Sequence, residues 1–303
     1  MLHEDIDIPG PAGPLRGTLL SPAASNVPVV LIVPGSGPTD RDGNNPFGVQ
    51  AATYRLLAEG LFDQSIASVR IDKRGMYGSA SAIPDADDVT LADYAKDIQS
   101  WVTTIRKRID ATCVWVLGHS EGGLVAMSAA QQCADMCGLI LVATAGRPLG
   151  LVLRQQLRAN PANAALLGNA MSILEAMETG QTVDAKQIDP ALMPLFRPPV
   201  QRFLMSELTV EPAALLANIT KPVLIVQGTR DIQIDPQDAF LLRDANLRTE
   251  LMLVANANHV LKTVDTDAIG ENLAAYSNPR LPLAEGVIEG ISAFIQQSRS
   301  CRR

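Results

Sequence analysis

Short runs of branched apolar residues recur along this 303-residue chain, and helical patterns separate most of them. The runs are "VPVVLIVPG", "IASVRID", "CVWVLG", "GLILVAT", "KPVLIVQG" and "TELMLVA". The first is continuously apolar and stops abruptly at Pro34 and Gly35, as a strand covered on both faces of a parallel sheet does. Between the runs, Tyr54, Leu57 and Leu61 recur at helical spacing. Leu91, Tyr94, Ile98, Trp101, Val102 and Ile105 line one face of a longer helix, with Thr90 placed to cap it. Further helices are expected over "SEGGLVAMSAAQQCA", "PQDAFLLRDA" and "EGVIEGISAFIQQ". Repeated strand-helix units lead to an α/β fold, a mostly parallel central sheet with helices on both faces. Two further strands, "EDIDIP" and "LRGTLL", precede it around a turn rich in Gly and Pro.

From Arg147 to Ala217 the strand-like runs vanish, and helical segments take their place around "MPLFRPPV". The expected organisation is therefore a first core part over residues 1–146, a helical cap insertion over 147–217, and a second core part over 218–303. A hydrophobic content of 47% suits a folded chain, and a net charge of −7 opposes binding to a nucleic-acid backbone, which needs clustered cations. The basic end "SRSCRR" is too short to reverse that and reads as a solvated tail. No apolar stretch approaches about 18 residues, and the amino terminus has no apolar leader, so neither a membrane span nor a signal peptide is expected. Cys113, Cys133, Cys137 and Cys301 form no C-x-x-C pair and have no neighbouring ligand set. They read as ordinary thiols, which fits a reducing compartment and a cytoplasmic location, and no metal or cofactor is expected.

Chemistry concentrates in "GHSEGG". Ser120 lies between a buried strand and a helix, the setting of a nucleophile elbow, and the tight turn gives Gly118 and Gly122 a steric reason to be glycine. A serine needs a base at hydrogen-bond distance, and the chain has three histidines. His3 precedes the first strand, and His119, inside the elbow, is expected to point away from the nucleophile. His259 follows the run "TELMLVA", at a carboxyl strand end where open α/β sheets place their sites. The orienting acid falls in "VQGTRDIQI": Asp231 is favoured for its Gly-x-x-Asp spacing, with Asp235 as the rival in the same loop. Charge developing on an acyl oxygen requires waiting N–H donors. The backbone amides of Glu121 and Ser36 are the candidates, the latter in the glycine-flanked loop after "VVLIVPG".

Together, "VPGSGPTDRDGN", "RIDKRGMYGSA", "GHSEGG", "VQGTRDIQI" and "ANHVLK" resemble the bacterial α/β-hydrolase family of esterases with a GSGP-type oxyanion loop. The match runs over nearly the whole chain. It implies the α/β-hydrolase fold and a carboxylesterase-like serine hydrolase acting on a small-molecule acyl ester, with Ser120 as nucleophile, His259 as base, Asp231 as its orienter and a cap over the pocket. Two departures stand out. The family's aspartate-arginine-glycine turn appears as Asp72, Lys73, Arg74 and Gly75, and Met76 and Tyr77 intervene before Gly78. In the loop "TDRDGN", Asp40, Arg41 and Asp42 are expected to be structural, pairing within the loop or with Arg70 or Arg74. A peptidase, thioesterase or lactonase on the same scaffold is the alternative; a ligand-binding relative that retains the triad without catalysis is another.

Overall fold

The computed structural model describes residues 2–24, 26–266 and 268–300. Strands β1 (Leu2–Pro9), β2 (Pro14–Ser21), β3 (Val29–Val33), β4 (Ala67–Ile71), β5 (Val114–His119), β6 (Met136–Val142), β7 (Val223–Gly228) and β8 (Thr249–Val254) form one sheet in the order β1-β2-β4-β3-β5-β6-β7-β8. The pairings β1–β2 and β2–β4 are antiparallel, and all others are parallel. Every residue of β3 to β7 is buried. Because β3 to β8 run parallel, their carboxyl ends share one edge.

Side chains alternate across the sheet as strand geometry requires. In β3, Val29, Leu31 and Val33 join the apolar cluster on one face, and Val30 and Ile32 join that on the other. Helices α2 (Leu91–Arg108) and α3 (Glu121–Ala130) pack on the first face; α1 (Thr53–Asp63) and α11 (Val287–Ser300) pack on the second. Thr90 caps α2 through a reciprocal box, in which its hydroxyl accepts from Asp93 N–H and the Asp93 carboxylate accepts from Thr90 N–H. All six apolar residues predicted for that helix are buried.

Between β6 and β7 lie α4 (Leu149–Ala159), α5 (Leu167–Glu178), α6 (Met193–Phe196), α7 (Pro198–Leu208) and α8 (Pro212–Ala217), with no strand among the described residues. These helices enclose an apolar cluster of their own around Ile173, Leu174, Met177 and Phe196. Arg147–Asp238 and Arg197–Asp87 ion pairs, at 2.7 and 2.6 Å, tie them to the sheet layers, as does Leu91 N–H donating to Ser206 Oγ at 2.9 Å. Helix α9 (Pro236–Ala245) precedes β8. Helix α10 (Ile269–Tyr276), which follows the His259 loop, has no counterpart in the sequence reading.

The cysteines correct one expectation. Cys113 and Cys137 form a disulfide rather than remaining thiols, and among the described residues only Cys133 is free. The bond closes where β5 and β6 enter the sheet side by side, Val114 pairing with Met136. Its two ends are 24 residues apart, a separation that carries no signature in sequence. The compartment inferred from four thiols loses its ground. Cys301 and the last basic residues lie outside the described residues. No helix among the described residues is long and apolar enough to cross a membrane.

Candidate active site

Ser120 sits between β5 and α3 with φ 55° and ψ −122°, a backbone conformation that L-residues rarely adopt and that costs on the order of 1–3 kcal/mol. Its N–H donates to Val142 O at 2.8 Å, and its carbonyl accepts from Gly123 N–H at 3.0 Å, so neighbouring backbone holds the strained turn. A Cβ at Gly118 would collide with the Gly122 carbonyl, and one at Gly122 would meet the carbonyls of Val33 and Pro34. The elbow closes because both positions are bare.

The turn after β7 delivers Asp231, and the loop after β8 delivers His259. His259 Nδ1 lies 2.8 Å from Asp231 Oδ2, and both side chains are buried. Asp231 Oδ1 accepts from the N–H groups of Gln233 and Ile234 at 2.8 and 3.0 Å. Burial alone would raise the Asp231 pKa, but the charge and hydrogen bond of His259, with those two amides, outweigh it and hold the carboxyl below its usual range. An ionised carboxylate only accepts, so Nδ1 carries a proton, and in the neutral ring Nε2 keeps its lone pair. The rival, Asp235, instead caps α9, accepting from Gln237 N–H at 2.9 Å.

Ser120 and His259 line one cavity of about 90 Å³, together with Ser36, Tyr54, Gln233 and Tyr276. Among the described contacts no hydrogen bond joins Ser120 Oγ to the His259 ring; such bonds are often long until substrate arrives. Ser36 and Glu121 flank Ser120 from the loop after β3 and from the first turn of α3. Neither backbone N–H has an acceptor among the described residues, whereas Gly35 N–H is already spent on Tyr54 Oη at 2.9 Å.

His119 makes no hydrogen bond to the Ser120 side chain among the described residues, yet it belongs to the site. The ring is buried against His259, 4.8 Å between ring centroids. Its Nδ1 lies 2.9 Å from Tyr54 Oη and its Nε2 2.8 Å from the His259 carbonyl oxygen. The helical pattern uses Tyr54 only for its apolar ring, and its hydroxyl is the signal in the sequence that points to the contact. Tyr276 was missed with α10. In the 40–42 loop, Asp42 pairs with Arg70 as expected, and Arg41 pairs with Asp72 at 2.7 Å. Arg74 does not take part, since it pairs with Asp97 at 2.6 Å. No group of three or more His, Cys, Asp or Glu that could hold a metal exists among the described residues.

A family model described as serine aminopeptidase, S33, matches residues 47–263, which spans β4 to β8 and with them Ser120, Asp231 and His259. The chain belongs to that family. Esterase EstD of Thermotoga maritima is 28% identical over 269 residues, or 86% of this chain, but the match spans only 60% of EstD. Among solved structures, Est1E from Butyrivibrio proteoclasticus has a TM-score of 0.59 at 20% identity, covering 98% of this chain and 99% of that one. The α/β hydrolase GrgF from Penicillium sp. sh18 has a TM-score of 0.66 at 18% identity, covering 99% of this chain and 100% of that one. These likenesses show the fold, and this S33 member has the α/β-hydrolase architecture.

Proposed function

We propose that this protein is a serine hydrolase that cleaves carboxylic esters of small molecules through an acyl-enzyme. The observation that carries this reading is the 2.8 Å contact of His259 Nδ1 with Asp231, which reserves Nε2 for the cavity that Ser120 also lines. His259 takes the Ser120 hydroxyl proton as Oγ attacks the acyl carbon, then gives it to the leaving alcohol. Water, deprotonated by the same nitrogen, attacks the acyl-enzyme and releases the acid. The amides of Ser36 and Glu121 receive the charge on the acyl oxygen. Residues 147–217 act as a cap over this edge. EstD, named as an esterase, supports ester over amide cleavage, while the family description names an aminopeptidase.

Ser120→Ala should lower turnover of p-nitrophenyl esters by roughly a thousandfold or more and abolish labelling by a fluorophosphonate. Undiminished hydrolysis by that variant, or wild-type protein that fails to label, defeats the reading. An aminoacyl amide and an acyl thioester assayed alongside decide the bond class. Preferential cleavage of the amide would establish a peptidase instead.

A further inference from the structure

Lys73 has no part in the steps above, yet it follows β4 with its side chain turned inward, only 5% exposed. A buried ammonium is costly unless strong acceptors meet it. Nζ donates to Gly35 O at 2.6 Å and lies 3.4 Å from Glu121 Oε1, over the Tyr94 ring at 5.5 Å from its centroid. Gly35 O and Ser36 N–H are the two ends of one planar peptide unit. A cation at the oxygen end draws charge from the nitrogen end and makes that N–H the stronger donor. The peptide before it is held as well, by Gly35 N–H donating to Tyr54 Oη.

The second contact matters equally. Glu121 supplies the other amide assigned to the acyl oxygen, and its carboxylate, also largely buried, would oppose negative charge growing one residue away. One ammonium therefore touches both residues whose amides face that charge. Glu207 of α7, buried with Oε1 unpartnered, faces the same pair. Burial first, then the Glu121 charge, pushes its carboxyl pKa well up against the pull of Lys73, which favours its neutral form beside the pair.

We propose that Lys73 is a positioning residue for the oxyanion site: its ammonium polarises and fixes the Gly35–Ser36 peptide and offsets the Glu121 carboxylate beside the nucleophile. This role presupposes Ser120 as the nucleophile. Lys73→Met should lower kcat for a p-nitrophenyl ester on the order of 10- to 100-fold with KM changed less than about threefold, because weakened donors are felt mainly in the transition state. Inhibition by a trifluoromethyl ketone, which places an oxyanion on the serine adduct, should weaken in step with kcat/KM. Binding of an unreactive substrate analogue should stay constant. Lys73→Arg should recover part of the loss. The double variant Lys73→Met with Glu121→Gln should exceed Lys73→Met alone, since no bare carboxylate remains, yet stay below Glu121→Gln, since the peptide is no longer polarised. Should Lys73→Met fail to fold, that double variant against Glu121→Gln makes the same comparison. Equal kcat in the compared pair, or ketone and substrate analogue weakened alike, overturns the role of Lys73. Absence of fluorophosphonate labelling in wild-type protein overturns the hydrolase reading instead.

Discussion

Acid should destabilise this protein through His119, a histidine that the chemistry does not use. The ring is 6% exposed, and its pKa is pushed down to about 3, by burial first and then by the neighbouring His259. His259 O can only accept, so Nε2 carries the proton; Nδ1 of the neutral ring then accepts a hydrogen bond from the Tyr54 hydroxyl, and Tyr54 Oη accepts one from Gly35 N–H. Protonating Nδ1 would turn an acceptor into a donor facing a donor at a buried position. Because the folded pKa lies below the unfolded value of about 6.5, this stability is complete above pH 6.5 and drains away as pH falls toward 3. At about 1.4 kcal/mol per unit the whole interval caps the effect at roughly 5 kcal/mol, and between pH 7 and pH 5 it amounts to about 2 kcal/mol. The comparison protein is His119→Gln, whose amide can still donate to His259 O and does not titrate. Its packing cost is common to every pH, and the other titrating groups are common to both chains. Urea unfolding at pH 5, 6 and 7, followed by tryptophan fluorescence and far-UV circular dichroism, should show wild type losing about 2 kcal/mol more than the variant between the extremes. Parallel loss in the two proteins would mean that the ring is charged or solvated in the folded state, and the tautomer assignment would fall with it.

Two other perturbations bear on groups outside the catalytic set. Glu207 carries the opposite sign: its carboxyl is raised by burial and then by Glu121, so the unfolded chain ionises first and stability falls as pH rises above the usual carboxylate range, by up to about 1.4 kcal/mol per unit. Glu207→Gln should therefore unfold at higher urea than wild type at pH 7 and lose that advantage near pH 4; an unchanged difference at both pH values refutes the raised carboxyl. Reducing the Cys113–Cys137 bond, which closes a loop of 24 residues, should lower stability by about 3 kcal/mol, with no response to reductant in the Cys113→Ser/Cys137→Ser variant. A wild-type urea midpoint that ignores reductant would show that the bond is absent or energetically idle.

What was legible in the chain, and what was not, divides along a physical line. Periodicity reports which face of an element is buried, and where burial is total the report is sound: β3 to β7 were read as apolar runs and are wholly enclosed, and the six apolar residues of α2 are all covered. The edge strand β8 was legible too, though half-exposed, because Val254 ends it just before the polar loop that carries His259. Helix α10 escaped because its buried face is only Asn272, Ala275 and Tyr276, too few to set a period. The placement of Ser120, Asp231 and His259 after β5, β7 and β8 follows from parallel strands sharing one edge, a topological inference that needs no side-chain detail. Contacts made sideways across that edge are another matter. The sheet order sets β3 between β4 and β5, and this brings Lys73, at the end of β4, beside the Gly35 carbonyl at the end of β3. The same neighbourhood joins Tyr54 to His119, and the register of β5 against β6 joins Cys113 to Cys137. Each of these partners is tens of residues away and belongs to a residue type with an ordinary local explanation: an apolar stripe, a turn cation, a stray thiol. Local pattern locates the reacting groups, while the groups that hold their charges and tautomers in place are selected by strand order, which appears only once the chain is folded.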